Sequence, residues 1–167
     1  HFTFPFVKTM THQLIIIGAG PGGYEVAVKA AKQGLSVLLV EARKVGGTCL
    51  NEGCIPTKCL CHNATLLQHL KEASASGIYA EGVRFQLSDA IDRKDGIVSQ
   101  LASGIESLMK TPGITFVQGK ASFVDSHTIV VEGQEYSAPH IIIATGSITK
   151  FLPIEGAHSE GVVTSTE

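Results

Sequence analysis

The chain carries strand-sized runs that are apolar without interruption. Leu14-Ile15-Ile16-Ile17, from just after Gln13, and Val37-Leu38-Leu39-Val40 flank a stretch, Tyr24 to Lys32, in which Val26, Ala27, Ala30 and Ala31 recur at helical spacing. Continuous aliphatic runs, as opposed to strict alternation, are expected of parallel strands covered by helices on both faces. Gly34 stands where it can end the helix, so the pattern predicts a βαβ unit. Ile141-Ile142-Ile143-Ala144 returns to the same buried-strand composition.

Between these runs the period changes. Ile55 to about Lys71 places Leu60, Ala64, Leu67 and Leu70 on one helical stripe, with Pro56 tolerated in the first turn. Ser74 to Val83, with Gly77 and Gly82, reads as a loop, and Arg93 to Lys110 reads as a helix through Ile97, Leu101, Ile105 and Leu108. Thr111-Pro112-Gly113 breaks it. Ile114 to Val117, Ala121 to Val124, Thr128 to Val131 and Glu135-Tyr136 are short strand candidates separated by Asp125-Ser126 and Glu132-Gly133, and they suggest a small antiparallel excursion. The expected class is α/β, a parallel sheet with that excursion, and no internal repeat or low-complexity tract interrupts it.

Composition narrows the function classes. With 167 residues the chain suits one compact domain, and its formal net charge of -2 offers no electrostatic footprint for nucleic acid. No apolar run approaches the ~18 residues of a membrane span, so neither nucleic acid nor a membrane is expected as a partner. The opening His1 to Thr9 lacks a charged-then-apolar secretory layout, so residues 1–9 read as an added or disordered segment before a possible native start at Met10. Cys49, Cys54, Cys59 and Cys61 crowd into one segment and cannot staple a whole domain. A redox-active pair in a reducing compartment suits them better than structural bridges.

Gly18-Ala19-Gly20-Pro21-Gly22-Gly23 fits GxGxxG at Gly18, Gly20 and Gly23, between a predicted strand and a predicted helix. The first glycine allows the tight turn, the second admits a pyrophosphate to the backbone, and the third lets helix pack on strand; the helix N-terminus adds N–H groups and partial positive charge. Glu41 closes the second strand roughly 20 residues on, where a carboxylate accepts from a ribose hydroxyl, and it suits an unphosphorylated ribose better than a 2'-phosphate. Ala42 and Arg43 follow it as cofactor-contacting candidates. The loop makes the parallel sheet Rossmann-like but leaves FAD and NAD equally open. Without this context the glycines would be an ordinary turn and Glu41 a solvated strand end.

Downstream lies Gly46-Gly47-Thr48-Cys49-Leu50-Asn51-Glu52-Gly53-Cys54-Ile55-Pro56-Thr57-Lys58. A single turn starting a helix can bring Cys49 and Cys54 within bonding range, and a sulfur near a helix start is favoured as the thiolate that exchange requires. Packing cysteines or a zinc site are the rival readings. The spacing lacks the paired short knuckles of structural zinc, and no metal is expected.

This segment resembles the redox-active motif of the flavin-dependent pyridine nucleotide-disulfide oxidoreductases, and most closely that of their dihydrolipoamide dehydrogenase branch. The opening IIIGAGPGGYEVAVKAAKQG, the later IIIATGS and the ending GVVTSTE are similar to that family in order and spacing, so the resemblance covers nearly all of Gln13 to Glu167. It implies a Rossmann-like FAD-binding domain, with Cys49 as the interchange thiol and Cys54 as the thiol beside the flavin in a charge-transfer pair. It further implies that Lys58 tunes the flavin, that Gly47 and Thr48 meet its phosphates or ribityl chain, and that Gly119 and Ala121 meet the adenine. Ala144-Thr145-Gly146 matches the family's second FAD-domain turn. Cys59 and Cys61 depart from the family's usual residues and read as packing positions.

The implied parent enzyme oxidises dihydrolipoamide, free or on a lipoyl domain, and passes the electrons through FAD to NAD. It would work as a homodimer, with a 2-oxoacid dehydrogenase complex as a possible partner, in a bacterial cytoplasm or a mitochondrial matrix. A second GxGxxG and a His-Pro-Glu acid-base context are missing here; none of His62, His69, His127, His140 or His158 has that setting. Residues 10–167 are therefore expected to be the N-terminal part of the FAD domain, inactive alone, without the nicotinamide and dimerisation domains. The alternatives are a sister reductase acting on glutathione disulfide or mercuric ion, and a non-catalytic dinucleotide-binding module.

Overall fold

The computed structural model describes residues 9–167, so most of the segment read as added or disordered, residues 1–8, lies outside the described residues. Thr9 is described, and its hydroxyl donates to Glu135 at 3.0 Å. The elements in order are β1 (Met10–Thr11), β2 (Leu14–Ile17), α1 (Pro21–Lys32), β3 (Val37–Glu41), α2 (Gly47–Asn51), α3 (Cys54–Glu72), a 3₁₀ turn (Ala73–Ser76), α4 (Leu87–Leu108), β4 (Ile114–Gln118), β5 (Ala121–Phe123), β6 (Thr128–Val131), β7 (Gln134–Ser137) and β8 (His140–Ile143).

Among the described residues these strands form two four-stranded sheets. One runs β4-β3-β2-β8 with every neighbour parallel, and Ile15 lies opposite Leu38 on one side and Ile141 on the other. The second runs β1-β7-β6-β5, antiparallel except where the short β1 joins β7 in parallel. The β2–α1–β3 unit is as expected from the sequence. The strand around Ile114–Val117, expected in the antiparallel excursion, instead extends to Gln118 and forms the outer strand of the parallel sheet, beside β3. The reason lies at its start, where the Val37 N–H donates to the Gly113 carbonyl at 2.8 Å and sets β4 alongside β3.

Successive side chains point to opposite faces of the parallel sheet, and along the central β2 and β3 both faces are buried. On one face Leu14, Ile16, Val37 and Leu39 pack with Ala27 and Ala31 of α1 and with Met109 just past α4. On the other, Ile15, Leu38 and Val40 pack against Ile129, Val131 and Tyr136 of the second sheet. The uninterrupted apolar runs thus report two covered faces, but a helix layer covers only one of them; the other cover is a sheet, contrary to the helices expected on both sides.

Local chemistry explains the element ends. Proline at the first position of α1 needs no intrahelical N–H bond, so the helix starts at Pro21, ahead of the expected Tyr24, and Gly34 at φ 90° follows its end. The cysteine segment is two helices, with Gly53 at the junction. Helix α4 begins at Leu87, earlier than the expected Arg93, because Ala90 continues the inward stripe and is its buried residue. The ~2–5 kcal/mol typical of buried Leu→Ala changes is expected for Leu38→Ala, whose side chain is fully buried, while Ile148→Ala, at 93% exposure, should stay within about 0.5 kcal/mol; urea unfolding curves of the two variants check this.

Candidate functional site

In an open parallel sheet the carboxyl ends of the strands face a crevice, because the connections leave there in opposite directions. Here β2, β3 and β8 end beside one another, and the chain segments that follow them surround a cleft of about 1060 Å³. Two hollows of about 380 and 390 Å³ lie against α4, the first between it and α1 and the second between it and β4.

Gly18, Gly20, Pro21 and Gly22 form the floor of the cleft. Gly18 has φ 106°, and a Cβ there would sit 2.3 Å from the Ala144 carbonyl oxygen, so the turn after β2 presses directly on the turn after β8. The Ala144 N–H donates to the Ile17 carbonyl at 2.8 Å and fixes that contact. No side chain caps α1, so its N-terminal turn offers backbone donors and partial positive charge to whatever occupies the cleft. Gly22 has open space where a side chain would be.

Glu41, at the end of β3, is held from both sides. One carboxylate oxygen accepts from the Ala19 N–H and the other from the Arg43 N–H, each at 2.7 Å. A carboxylate has about four lone-pair sites, so both oxygens keep capacity for a hydroxyl donor from the cleft. Ala42, Arg43, Gly47, Thr48, Cys49, Gly119, Ala121, Ala144, Thr145 and Gly146 all line the same cleft. The Gly119 N–H donates to the Glu41 carbonyl at 2.8 Å, and a Cβ on Gly119 would meet Val131 at 2.6 Å, which ties the second sheet to the end of β3.

Three of the expected site residues do not line it. Gly23 lies beneath, where a Cβ would sit 1.8 Å from the Gly18 carbonyl oxygen, so its part is helix-to-strand packing. Lys58 and Cys54 stand on the first turns of α3 outside the cleft wall. Sequence reasoning missed Lys44, Asn51, Glu52, Lys120, Ser147 and Ile148, which do line it. Asn51 had a signal: one turn after Gly47, its amide donates to the Val45 carbonyl at 3.0 Å and the Gly47 carbonyl at 2.9 Å, closing the loop that carries Cys49. Lys120 lies between the two expected positions Gly119 and Ala121.

All four cysteines are free thiols, Cys49 half-buried and Cys54 exposed. Cys49, in α2, and Cys54, at the first position of α3, stand on the two sides of the helix break, where the two thiols interact. Hydrogen bonding with the Cys54 side chain first, and then desolvation and that thiol's charge, push the Cys49 thiol above its ordinary value. The Cys54 N–H and the Lys58 ammonium pull the other way without prevailing. The expected stabilisation of a thiolate at the helix start is therefore present but outweighed. Because the folded state holds this proton more tightly than the unfolded chain, any stability linked to it is lost as pH rises above the ordinary thiol range. The pH midpoint for iodoacetamide alkylation of Cys49 should lie above that of an unhindered thiol and fall on Cys54→Ala, as read by mass spectrometry of the labelled peptide.

The glycine floor, the uncapped α1 and the strand-end carboxylate make a fitting cradle for a dinucleotide, with Cys49 on one wall. Residues 12–167 match the family described as pyridine nucleotide-disulphide oxidoreductase. Dihydrolipoyl dehydrogenase of Acholeplasma laidlawii is 40% identical over 93% of this chain and 47% of its own length, and that of Bacillus subtilis 42% identical over 92% and 35%. Among solved structures, the HOCl-induced flavoprotein disulfide reductase RclA from Escherichia coli superposes with TM-score 0.76 at 36% identity, covering 92% of this chain and 33% of that one. The chain thus spans a third to a half of the length of these relatives. The fold is the Rossmann-like FAD-binding fold of flavoprotein disulfide reductases, and FAD is the cofactor of these flavoproteins. The chain belongs to the pyridine nucleotide-disulphide oxidoreductase family.

Proposed function

We propose that this chain is the FAD-binding, thiol-bearing part of an NAD-dependent dihydrolipoyl dehydrogenase. The observation that carries the reading is the juxtaposition of Cys49, on the wall of a cleft whose floor is glycine backbone at a helix N-terminus, with Cys54 across the helix break behind it. The α1 turn would hold the pyrophosphate, Glu41 the adenosine ribose, and Gly119 and Ala121 the adenine end, while Gly47 and Thr48 would meet the ribityl side and Ala144-Thr145-Gly146 the far wall. Bound FAD supplies a two-electron acceptor.

The protein's own step is thiol–disulfide exchange. A dihydrolipoamide thiolate attacks the Cys49 sulfur of the oxidised pair, and Cys54 leaves as the thiolate. The substrate's second thiol then attacks its own sulfur in the mixed disulfide, expelling Cys49 and releasing the cyclic disulfide. Lys58, whose charge reaches Cys49, helps hold the reduced pair as thiolate. NAD as final acceptor, the homodimer, the lipoyl-bearing 2-oxoacid dehydrogenase complex and a bacterial cytoplasmic or mitochondrial setting belong to the full-length protein in this reading, with residues 10–167 as the first part of its FAD domain.

A sister disulfide reductase is the second reading, favoured by the likeness to a structure described as a disulfide reductase. Full-length protein assayed with dihydrolipoamide and NAD, and with glutathione disulfide or Hg(II) and a reduced nicotinamide, separates the two; turnover confined to dihydrolipoamide is expected. Cys49→Ser and Cys54→Ser should each lower that rate by on the order of 100-fold or more while flavin absorbance is kept, and Cys54→Ser should also remove the long-wavelength band of the reduced protein. Gly47→Ala places a Cβ 2.9 Å from the Gly20 Cα at φ 59°, so flavin content per protein should drop in that variant. Full-length protein purified without any flavin would sink the proposal.

A further inference from the structure

Glu52 lies between the two thiols in sequence, at the break where α2 ends and α3 has not begun. Its carboxylate takes both arms of the Arg43 guanidinium, one nitrogen to each oxygen. Exposed ion pairs usually contribute little, because ordering two long side chains costs about what the attraction returns. Two features set this pair apart. The Glu52 side chain is 16% exposed against 66% for Arg43, and the Arg43 main chain is already fixed at both ends. The Arg43 N–H donates to Glu41 at 2.7 Å, and its carbonyl accepts from the Gln118 side-chain amide at 2.9 Å. A planar fork on a pinned backbone loses less freedom on pairing than a free side chain would.

The bonds form one connected path. It runs from the Ala19 N–H to Glu41, through the Arg43 main chain to its guanidinium, and on to Glu52 at the junction that sets how Cys49 faces Cys54. The Thr166 hydroxyl donates to Oε2 of the same carboxylate, the oxygen that takes the other Arg43 arm, at 3.4 Å from far along the chain. Resting on the reading of Cys49 and Cys54 as a working thiol pair, we infer that Arg43 and Glu52 are positioning residues that lock the α2–α3 junction and so favour closure of the Cys49–Cys54 bond. In that closure the two thiols lose two electrons and two protons and form one S–S bond; in a glutathione buffer, glutathione disulfide takes them up and becomes two glutathione thiols. A looser junction widens the range of sulfur positions that closure must give up, so the disulfide becomes easier to reduce.

The test equilibrates the FAD-loaded protein in glutathione buffers of stepped ratio and counts free thiols by mass after alkylation. Arg43→Met and Glu52→Gln should each shift the closure equilibrium by about fivefold, about 20 mV, towards the dithiol. The double variant should shift by no more than either single one, as expected of two partners in one interaction. The exchanged pair Arg43→Glu with Glu52→Arg should recover at least half of the shift, and Arg43→Lys, which keeps the charge but not the fork, should fall in between. Single variants within twofold of the parent, or a double variant that sums the two shifts, would overturn the positioning pair. A parent whose thiol count ignores the buffer would instead overturn the thiol-pair reading beneath it.

Discussion

Two stretches of main chain cross with nothing between them but hydrogen. Gly20, in the turn that starts α1, and Gly47, at the start of α2, approach so closely that a Cβ on Gly47 would lie 2.9 Å from the Gly20 Cα. The rest of the site follows from that crossing. It places the thiol-bearing helix against the end of the glycine turn, it leaves the first turn of α1 uncovered on the cleft side, and it sets Thr48 and Cys49 on the cleft wall. Gly47 itself has φ 59°, which an L side chain rarely adopts, so conformation and space make the same demand.

Around the crossing the structure is rigid where it must be. The three strands that end at the cleft are paired over matching registers, and the central two contribute side chains that are fully buried on both faces. Close packing of this kind transmits position with little slack, so the turn after β2, the carboxylate at the end of β3 and the turn after β8 keep their mutual spacing. The helices outside this frame are packed more lightly. Helices α3 and α4 bury Cys59 and Ala90 respectively, and their other inward residues are only half covered.

The β2–α1–β3 unit and the glycine turn are legible in the sequence because each has a local cause: an uninterrupted aliphatic run and glycines at fixed offsets. What it could not show was set at a distance. The run Leu14 to Ile17 announces two covered faces, yet nothing within it says that Ile129 and Val131, more than a hundred residues away, supply one of the covers. From sequence β4 looks like part of the excursion, because its partner β3 lies across α2, α3 and α4. Lys120 and Ile148 escaped for a related reason, since strand order alone brings them to the cleft. The raised Cys49 thiol depended on the facing sulfur, a neighbour whose contact only the helix break defines.

The parallel sheet has one further property. It stops at β8, whose outer backbone groups have no strand beside them among the described residues, and Ile143 at its end is 65% exposed. Beyond it Leu152, Ile154 and Val163 are each more than 60% exposed. An open strand border is a template for further pairing, and Pro139, just ahead of β8, blunts this one only at its start. Handled by itself, this chain should therefore tend to associate edge to edge through β8.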